Sequence, residues 1–121
     1  MANRPYWLIK RPDGTVACDR CVVADTAPTR IRGLLGRRQL EPGEGMLLRP
    51  ANSVHMFFMR FAIDVVFVDR ELAVRKIVER LRPWRMAGCL GAKAALELPA
   101  GTASRCGITV GEVLSLETAG G

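Results

Sequence analysis

Residues 52–68 read NSVHMFFMRFAIDVVFV and hold all four phenylalanines of the chain, two of its five methionines and its only histidine. The run at 65–68 is short, apolar and rich in valine, which is typical of a buried strand. Residues 53–59 are apolar on both faces if the chain is extended there, because alternate side chains of a strand lie on opposite faces. The stretch therefore predicts a central strand at 53–59, carrying His55, and a second buried strand that Asp64 opens.

Outward from this stretch, further short β-prone runs are separated by turn residues. They lie at 6–9, 15–23, 46–48, 72–81, 94–98 and 113–116, and the first two flank the turn signal Pro12-Asp13-Gly14. The segment 27–36 has helical spacing of its apolar residues instead, with a polar cap residue before it and Gly36 at its end. Residues 100–106 have room for one further helical turn.

This pattern predicts a mainly β fold, β-rich within the α+β class. We expect a small barrel-like or curled, mostly antiparallel sheet with one short helix near residues 27–36. A chain of 121 residues and 13.3 kDa, with 49% hydrophobic and 25% charged residues, has the size and balance of one globular domain, here 1–121. Within it we expect an N-terminal hairpin at 5–24 and a core at 24–117.

The net charge of +6 permits binding to polyanions without showing it. The arginines are scattered, and Tyr6, Trp7 and Trp84 are not interleaved with them, so a nucleic acid is not the favoured partner. The longest strongly apolar stretch, 61–68, contains Asp64 and is far shorter than the roughly 20 residues that cross a bilayer. With no secretory leader visible, the sequence predicts a cytoplasmic protein without a membrane span.

His55 and Asp64 are the candidates for acid–base chemistry. A lone histidine in an apolar strand is most often a core residue whose imidazole is satisfied by a carbonyl or a carboxylate. Asp64 opens an apolar strand and needs a partner, for which Arg30, Arg60 and backbone amides are the candidates. In the alternative, His55 and Asp64 face one pocket as an acid–base couple, and one of these arginines stabilises developing negative charge. No nucleophile motif, phosphate loop or dinucleotide fingerprint accompanies them.

Cys18 and Cys21 have the Cys-x-x-Cys spacing of zinc knuckles and thioredoxin-like sites. No second close pair of metal ligands accompanies them. In a regular strand, residues three apart point to opposite faces, so these two thiols would not chelate one metal. Methionine and thiol ligands suit copper(I), but core filling is the commoner use of residues such as Met56 and Met59. We therefore expect reduced thiols, no cofactor and no metal site.

Five blocks of the sequence carry a resemblance to a known family. They read TRIRGLLGR at 29–37, GMLLRP at 45–50, SVHMFFMRF at 53–61, IDVVFVD at 63–69 and LELPAG at 96–101. In the order of these blocks, from about Ala24 to Leu116, the chain resembles domain-of-unknown-function family 192, small conserved proteins without an assigned activity. The resemblance implies a β-rich fold with a short helix at 29–36 and implies no reaction, and relatives often carry an export signal. The matching positions that it suggests for a shared site are Arg30, Gly33, Gly45, Met46, His55, Met59, Asp64, Glu97 and Gly101.

Together these observations favour a non-enzymatic accessory or binding domain over an enzyme. Its pocket would lie near His55, Asp64 and Arg30 and would take a small anion or a peptide segment of a protein partner. The candidate binding residues are Arg30, Met46, Ser53, His55, Met59, Arg60, Asp64 and Glu97. An enzyme that uses His55 and Asp64 is the alternative, and a metal protein that uses Cys18, Cys21 and His55 ranks lower.

Overall fold

Nine strands and one short helix make up the part of the chain that the computed structural model describes, residues 6–25 and 39–118. In chain order they are β1 (Trp7–Lys10), β2 (Val16–Ala24), β3 (Glu44–Leu48), β4 (Ser53–His55), β5 (Ile63–Val68), β6 (Val74–Leu81), β7 (Met86–Gly88), β8 (Ala94–Pro99), α1 (Thr102–Cys106) and β9 (Ser115–Thr118). The helix expected near 27–36 lies outside the described residues. The expected mainly β fold is confirmed, and α1 occupies the predicted helical turn at 100–106.

Seven strands form the main sheet, in the order β6-β5-β8-β3-β2-β1-β9. Neighbours run antiparallel except β2 and β3, which pair in parallel from Arg20 opposite Glu44 to Ala24 opposite Leu48. A parallel pair needs a crossover of a dozen or more residues, and the 19 residues between these strands satisfy that requirement. The mostly antiparallel sheet that the sequence predicts is therefore confirmed.

The main sheet curls until its two edges meet at one place. An isolated bridge joins Ala73, just before β6, to Val113, just before β9. The Val74 amide donates to the Glu112 carbonyl at 2.8 Å, and the Leu114 amide donates to the Leu72 carbonyl at 3.0 Å. These bonds connect the edges without a continuous ladder, so the sheet is curled rather than closed into a barrel.

The apolar core lies on both faces of this sheet. Val66 and Val68 of β5 face one cluster, which also holds Ala103 of α1, and we call this the helix side. The alternate residues Val65 and Phe67 face a second cluster, which we call the small-sheet side. Every residue of β5 is buried, because both of its faces are covered.

The small-sheet side takes its name from β4 and β7, which pair in a separate two-stranded sheet. The prediction of a central strand at 53–59 is wrong. β4 ends at His55, and a turn follows in which the Met59 amide donates to the Met56 carbonyl at 3.2 Å and Phe58 has a φ of 66°. This turn breaks the alternation that the prediction assumed, so Met56 and Met59 are buried whereas His55 is exposed.

The two thiols of the Cys-x-x-Cys pair lie in the same cluster, on the helix side, rather than on opposite faces. β2 is irregular between them: the amides of Asp19 and Arg20 both donate to the Gly43 carbonyl, at 3.0 and 2.9 Å. Two consecutive amides on one carbonyl form a β-bulge, and the extra residue turns Cys21 back to the side of Cys18. The expectation that the thiols point apart was therefore wrong.

Gly45, one of the positions suggested by the family resemblance, has a packing role in the parallel pair β2–β3. A Cβ atom there would lie 2.7 Å from the Cys18 sulfur and 3.1 Å from the Glu97 carbonyl oxygen. Only glycine avoids the closer of these contacts, which lets β3 lie tightly against the buried thiols.

Candidate functional site

Asp64 is fully buried, and its carboxylate is held by backbone amides. Oδ1 accepts a hydrogen bond from the Arg80 amide at 2.9 Å, and Oδ2 accepts from the amides of Gly101 and Ala103 at 3.0 and 2.9 Å. Of the partners expected from sequence, Arg60 is exposed and makes no contact of this kind. Three amide donors replace the water that an ionised carboxylate loses on burial, so no arginine is needed.

These three bonds join elements that are distant in sequence. Gly101 and Ala103 lie at the start of α1, where the first amides of a helix have no partner within the helix itself. Arg80 lies in β6 with a φ of 54°, at the point where the register between β5 and β6 shifts. The carboxylate therefore fixes both the start of α1 and the irregular part of β6 at Arg80.

The structure does not bring His55 and Asp64 together. Asp64 pairs with Leu98 of β8, whose side chain lies on the helix side. His55 belongs to β4, which packs on the small-sheet side through Val54. The main sheet lies between the two side chains, and the three amides occupy the carboxylate. The expected acid–base couple is therefore not formed.

Met46, Met59 and Glu97 share the small-sheet side of the core. Glu97 of β8 lies between Met46 of β3 and Val65 of β5 in the sheet and is only 6% exposed. Burial raises the pKa of its carboxyl from 4.5 to about 7, because the charged form is poorly solvated there. This carboxyl is close to half-protonated at neutral pH, unlike an ordinary glutamate.

A contiguous group of exposed rings lies at the end of the small sheet where β4 ends and β7 begins. The His55 and Phe57 ring centroids are 4.9 Å apart, those of Phe57 and Trp84 are 6.0 Å apart, and those of Phe58 and Trp84 are 4.9 Å apart. Met86 lies opposite His55 in the β4–β7 pair and is 65% exposed. We call these five residues the aromatic patch.

Met56 positions the two turns that carry the rings. Its side chain is buried at 1% exposure, its amide donates to the Arg85 carbonyl at 2.7 Å, and its carbonyl accepts from the Trp84 amide at 2.7 Å. The turns at 57–58 and 83–84 are therefore bonded to one buried residue and placed side by side. Phe58 and Trp84 remain 71% and 59% exposed.

The charged residues of the two segments that build the aromatic patch are all basic. These segments, 52–63 and 81–92, contain no acidic residue. They carry Arg60, Arg82 and Arg85, all exposed. Among residues 6–25 and 39–118, none of these three side chains forms an ion pair with a carboxylate. The patch therefore combines exposed apolar rings with unneutralised positive charge.

The candidate residues named from sequence thus separate into three groups. The first group is exposed: Ser53 and His55 lie on β4, and Arg60 follows that strand. The second group, Met46, Met59 and Glu97, lies in the core on the small-sheet side. The third is Asp64 alone, which lies on the helix side. Arg30 and Gly33 lie outside the described residues. Sequence reasoning missed Phe57, Phe58, Trp84 and Met86 as surface residues. The signal available for Trp84 was its place in a loop rich in proline and glycine between two arginines.

Cys18 and Cys21 do not gain the further ligands that a metal site needs. In the part of the chain that the structure describes, no three histidine, cysteine or acidic side chains are grouped to hold a metal ion. A hydrogen bond between the two thiols and their burial raise the pKa of Cys21 above its ordinary value. The thiolate, which is the form that binds metals and reacts, is therefore disfavoured.

Comparison with known proteins places the chain in a family. The model of the family DUF192, described as "Uncharacterized ACR", matches residues 8–116. The matched region begins within β1. The chain belongs to domain-of-unknown-function family 192. The description of that family names no activity.

Known proteins that are similar to this chain include one sequence relative and two solved structures. A protein of Thermococcus sibiricus named UPF0127 protein is 34% identical over 117 residues, covering 91% of this chain and 74% of that one. A protein of unknown function from Novosphingobium aromaticivorans has a similar structure, with a TM-score of 0.77, 26% identity and coverage of 92% of this chain and 83% of that one. A putative transcription regulator from Sinorhizobium meliloti gives a TM-score of 0.80 at 24% identity, over 93% and 92% of the two chains. The last likeness shows a shared fold.

Within the described residues, no helix has the length and apolar content needed to cross a membrane.

Asp64→Asn is expected to destabilise the fold strongly. The asparagine amide has one acceptor oxygen, so either orientation leaves at least one of the three backbone amides facing an NH₂ group. We expect the free energy of unfolding, measured by urea denaturation, to fall by at least about 2 kcal/mol. Asp69→Asn is the matched control: a single oxygen, Oδ1, accepts from the Glu71 and Ala73 amides there, and asparagine keeps it. Equal stability of the two variants would contradict this role for Asp64.

Glu97 is expected to make stability depend on pH between about 4.5 and 7. The folded carboxyl loses its proton near pH 7 and the unfolded one near 4.5, so the folded state binds more protons between these values. The free energy of unfolding should therefore fall as the pH rises through this window, by about 3 kcal/mol, and then level off. Glu97→Gln should remove this slope in urea denaturation at a series of pH values, whereas Glu71→Gln in an exposed turn should keep it. A slope that persists in Glu97→Gln would show that another group causes it.

Proposed function

We propose that this protein is a non-enzymatic binding domain, and that the aromatic patch binds a peptide segment of a protein partner. The observation that carries the proposal is the contiguous, exposed set of rings around Trp84. Single exposed apolar side chains are common on protein surfaces, but a contiguous group bordered by polar residues marks an interaction site. Tryptophan and arginine are also the residue types most enriched among those that dominate binding energy at interfaces.

The backbone of the patch supports a role beyond folding. Phe58 and Trp84 have φ values of 66° and 70°, in the left-handed region. This conformation costs an L-residue about 1–2 kcal/mol, and glycine adopts it without that cost. Large side chains at these strained and exposed positions lower the stability of the fold. In return they present apolar area to solvent. Such strain is concentrated at sites where function, rather than stability, sets the residue.

The chemistry of the patch indicates the class of peptide. The rings present an apolar surface into which leucine or aromatic side chains can pack, and Arg60, Arg82 and Arg85 supply positive charge around it. Complementary charge speeds encounter and selects partners. We therefore propose a segment with apolar side chains flanked by glutamate or aspartate. The rings of the patch contact one another, which suits the packing of apolar peptide side chains. Nucleic-acid bases instead stack on aromatic side chains that stand apart from each other.

An enzyme that uses His55 and Asp64 is not proposed. The two side chains lie on opposite sides of the main sheet, and the Asp64 carboxylate is occupied by three amides. A general base must lie within hydrogen-bond reach of the proton that it removes. His55 retains a place in the proposal through its ring, which is in contact with Phe57.

The proposal is tested with two labelled peptides in fluorescence anisotropy. In one, leucine and phenylalanine alternate with glutamate, and in the other lysine replaces glutamate. We expect the acidic peptide to bind at least about tenfold more tightly than the basic one, and Trp84→Ala to weaken its binding by at least about tenfold. Val110→Ala removes another exposed apolar side chain, in the turn next to the start of β6 rather than in the patch, and should leave the binding unchanged.

A comparison of Trp84→Gly with Trp84→Ala separates binding from folding. Both remove the ring, but glycine also relieves the left-handed strain, so its free energy of unfolding should be about 1 kcal/mol higher than that of alanine. Both variants should lose the acidic peptide. If both variants bind the acidic peptide like the wild type, or if the basic peptide binds as tightly as the acidic one, the proposal is wrong.

A further inference from the structure

We infer that a second binding site, for a small organic anion, lies in a cavity of about 330 Å³ at one end of the main sheet. The chain leaves β2, β3 and β5 at this end and enters β8 there. The cavity is lined by Arg49, Arg70 and Lys93 together with Leu72, Pro50 and Ala94. Its size is at the lower end of the range for small-molecule sites. The inference does not depend on the role proposed for the aromatic patch.

The walls of this cavity are fixed by backbone hydrogen bonds. The Arg49 amide donates to the Ala24 carbonyl at 3.1 Å, which ties the end of β3 to the end of β2. The Lys93 amide donates to the Val68 carbonyl at 2.8 Å, and the Lys93 carbonyl accepts from the Ala51 amide at 3.0 Å. The backbone at two of the three cationic residues, Arg49 and Lys93, is therefore held in place before a ligand arrives. Such preorganisation lowers the entropy lost on binding.

The turn at the end of β5 forms another wall. Oδ1 of Asp69 accepts from the Glu71 amide and from the Ala73 amide, both at 2.9 Å, and the Leu72 amide donates to the Asp69 carbonyl at 3.0 Å. One oxygen of this acid is thus used by its own turn. This turn also places Arg70 and the apolar side chain of Leu72 at the cavity.

The charges of the cavity favour an anion. Its lining holds three cations and two acids, Asp25 and Asp69. Among the residues that the structure describes, the side chains of Arg49, Arg70 and Lys93 form no ion pair with a carboxylate. Guanidinium groups suit the planar or tetrahedral oxygens of carboxylates and phosphates, which they bind with paired hydrogen bonds.

The apolar part of the lining selects among anions. Leu72, Pro50 and Ala94 offer carbon surface beside the cations, which a bare inorganic ion would leave exposed to water. The ligand class is therefore a small molecule with one carboxylate or phosphate group and an apolar body. The oxyanion is the chemistry that both types share, and the experiment distinguishes them.

The test uses four probes with the full chain in amide-detected NMR titrations: phenyl phosphate, benzoate, inorganic phosphate and benzyl alcohol. We expect phenyl phosphate or benzoate to shift the amides of Arg70, Leu72 and Lys93 saturably, with a Kd on the order of 1 mM or lower. Whichever of the two binds more tightly identifies the oxyanion. The Trp84 amide in the aromatic patch should not shift, which separates this site from the peptide site.

Two variants and one matched control complete the design. Arg49→Gln and Lys93→Gln should each raise the Kd of the preferred probe by at least about fivefold, whereas Arg105→Gln, an exposed arginine of α1, should leave it unchanged. The inference is overturned if neither aromatic anion shifts these amides, if inorganic phosphate binds as tightly as phenyl phosphate, or if benzyl alcohol binds as tightly as benzoate. An unchanged Kd in both cavity variants would overturn it as well.

Discussion

The rest of this structure depends on one buried carboxylate and the three backbone amides that hold it. Asp64 lies in a strand whose every residue is buried, and its oxygens accept hydrogen bonds from N–H groups of β6 and of the start of α1. The bond to Arg80 stabilises the irregular part of β6, and from there the chain continues to the turn that carries Trp84. Asp64, which the sequence offered as a candidate acid–base residue, therefore has a structural role: it sets the positions of the elements around it.

The strands that the sequence predicts best are those with an unbroken apolar run or a clear turn signal. β5, β8 and the pair β1–β2 belong to this class, because burial on two faces or a Pro-Asp-Gly turn leaves a local signature. β4 does not, since the turn after it places a phenylalanine, not a glycine, in the left-handed region. The bulge between Cys18 and Cys21 also has no signal in the sequence, because the hydrogen bonds that define it are accepted by the carbonyl of the distant residue Gly43.

The candidate site was harder to predict than the fold for a related physical reason. The partners of Asp64 are amides 16, 37 and 39 residues away, and an amide has no sequence signature. Period-two reasoning placed His55 inside because it assumed a regular strand, and it placed Phe57 and Phe58 inside for the same reason. Once the turn is known, the same residues form an outer surface with arginines around it. Their apolar character on that surface is the basis of the binding role that we propose.

Native-state hydrogen exchange of the Arg80, Gly101 and Ala103 amides tests the central role of the Asp64 carboxylate most directly. Arg80 lies at an exposed and irregular point of an edge strand, and Gly101 and Ala103 lie at the start of a five-residue helix, so all three amides would exchange readily without a strong acceptor. The account predicts that all three exchange only by global unfolding, with the same free energy of opening as the amides of β5. Exchange of any of them through local opening, as fast as in the exposed turns, would contradict it.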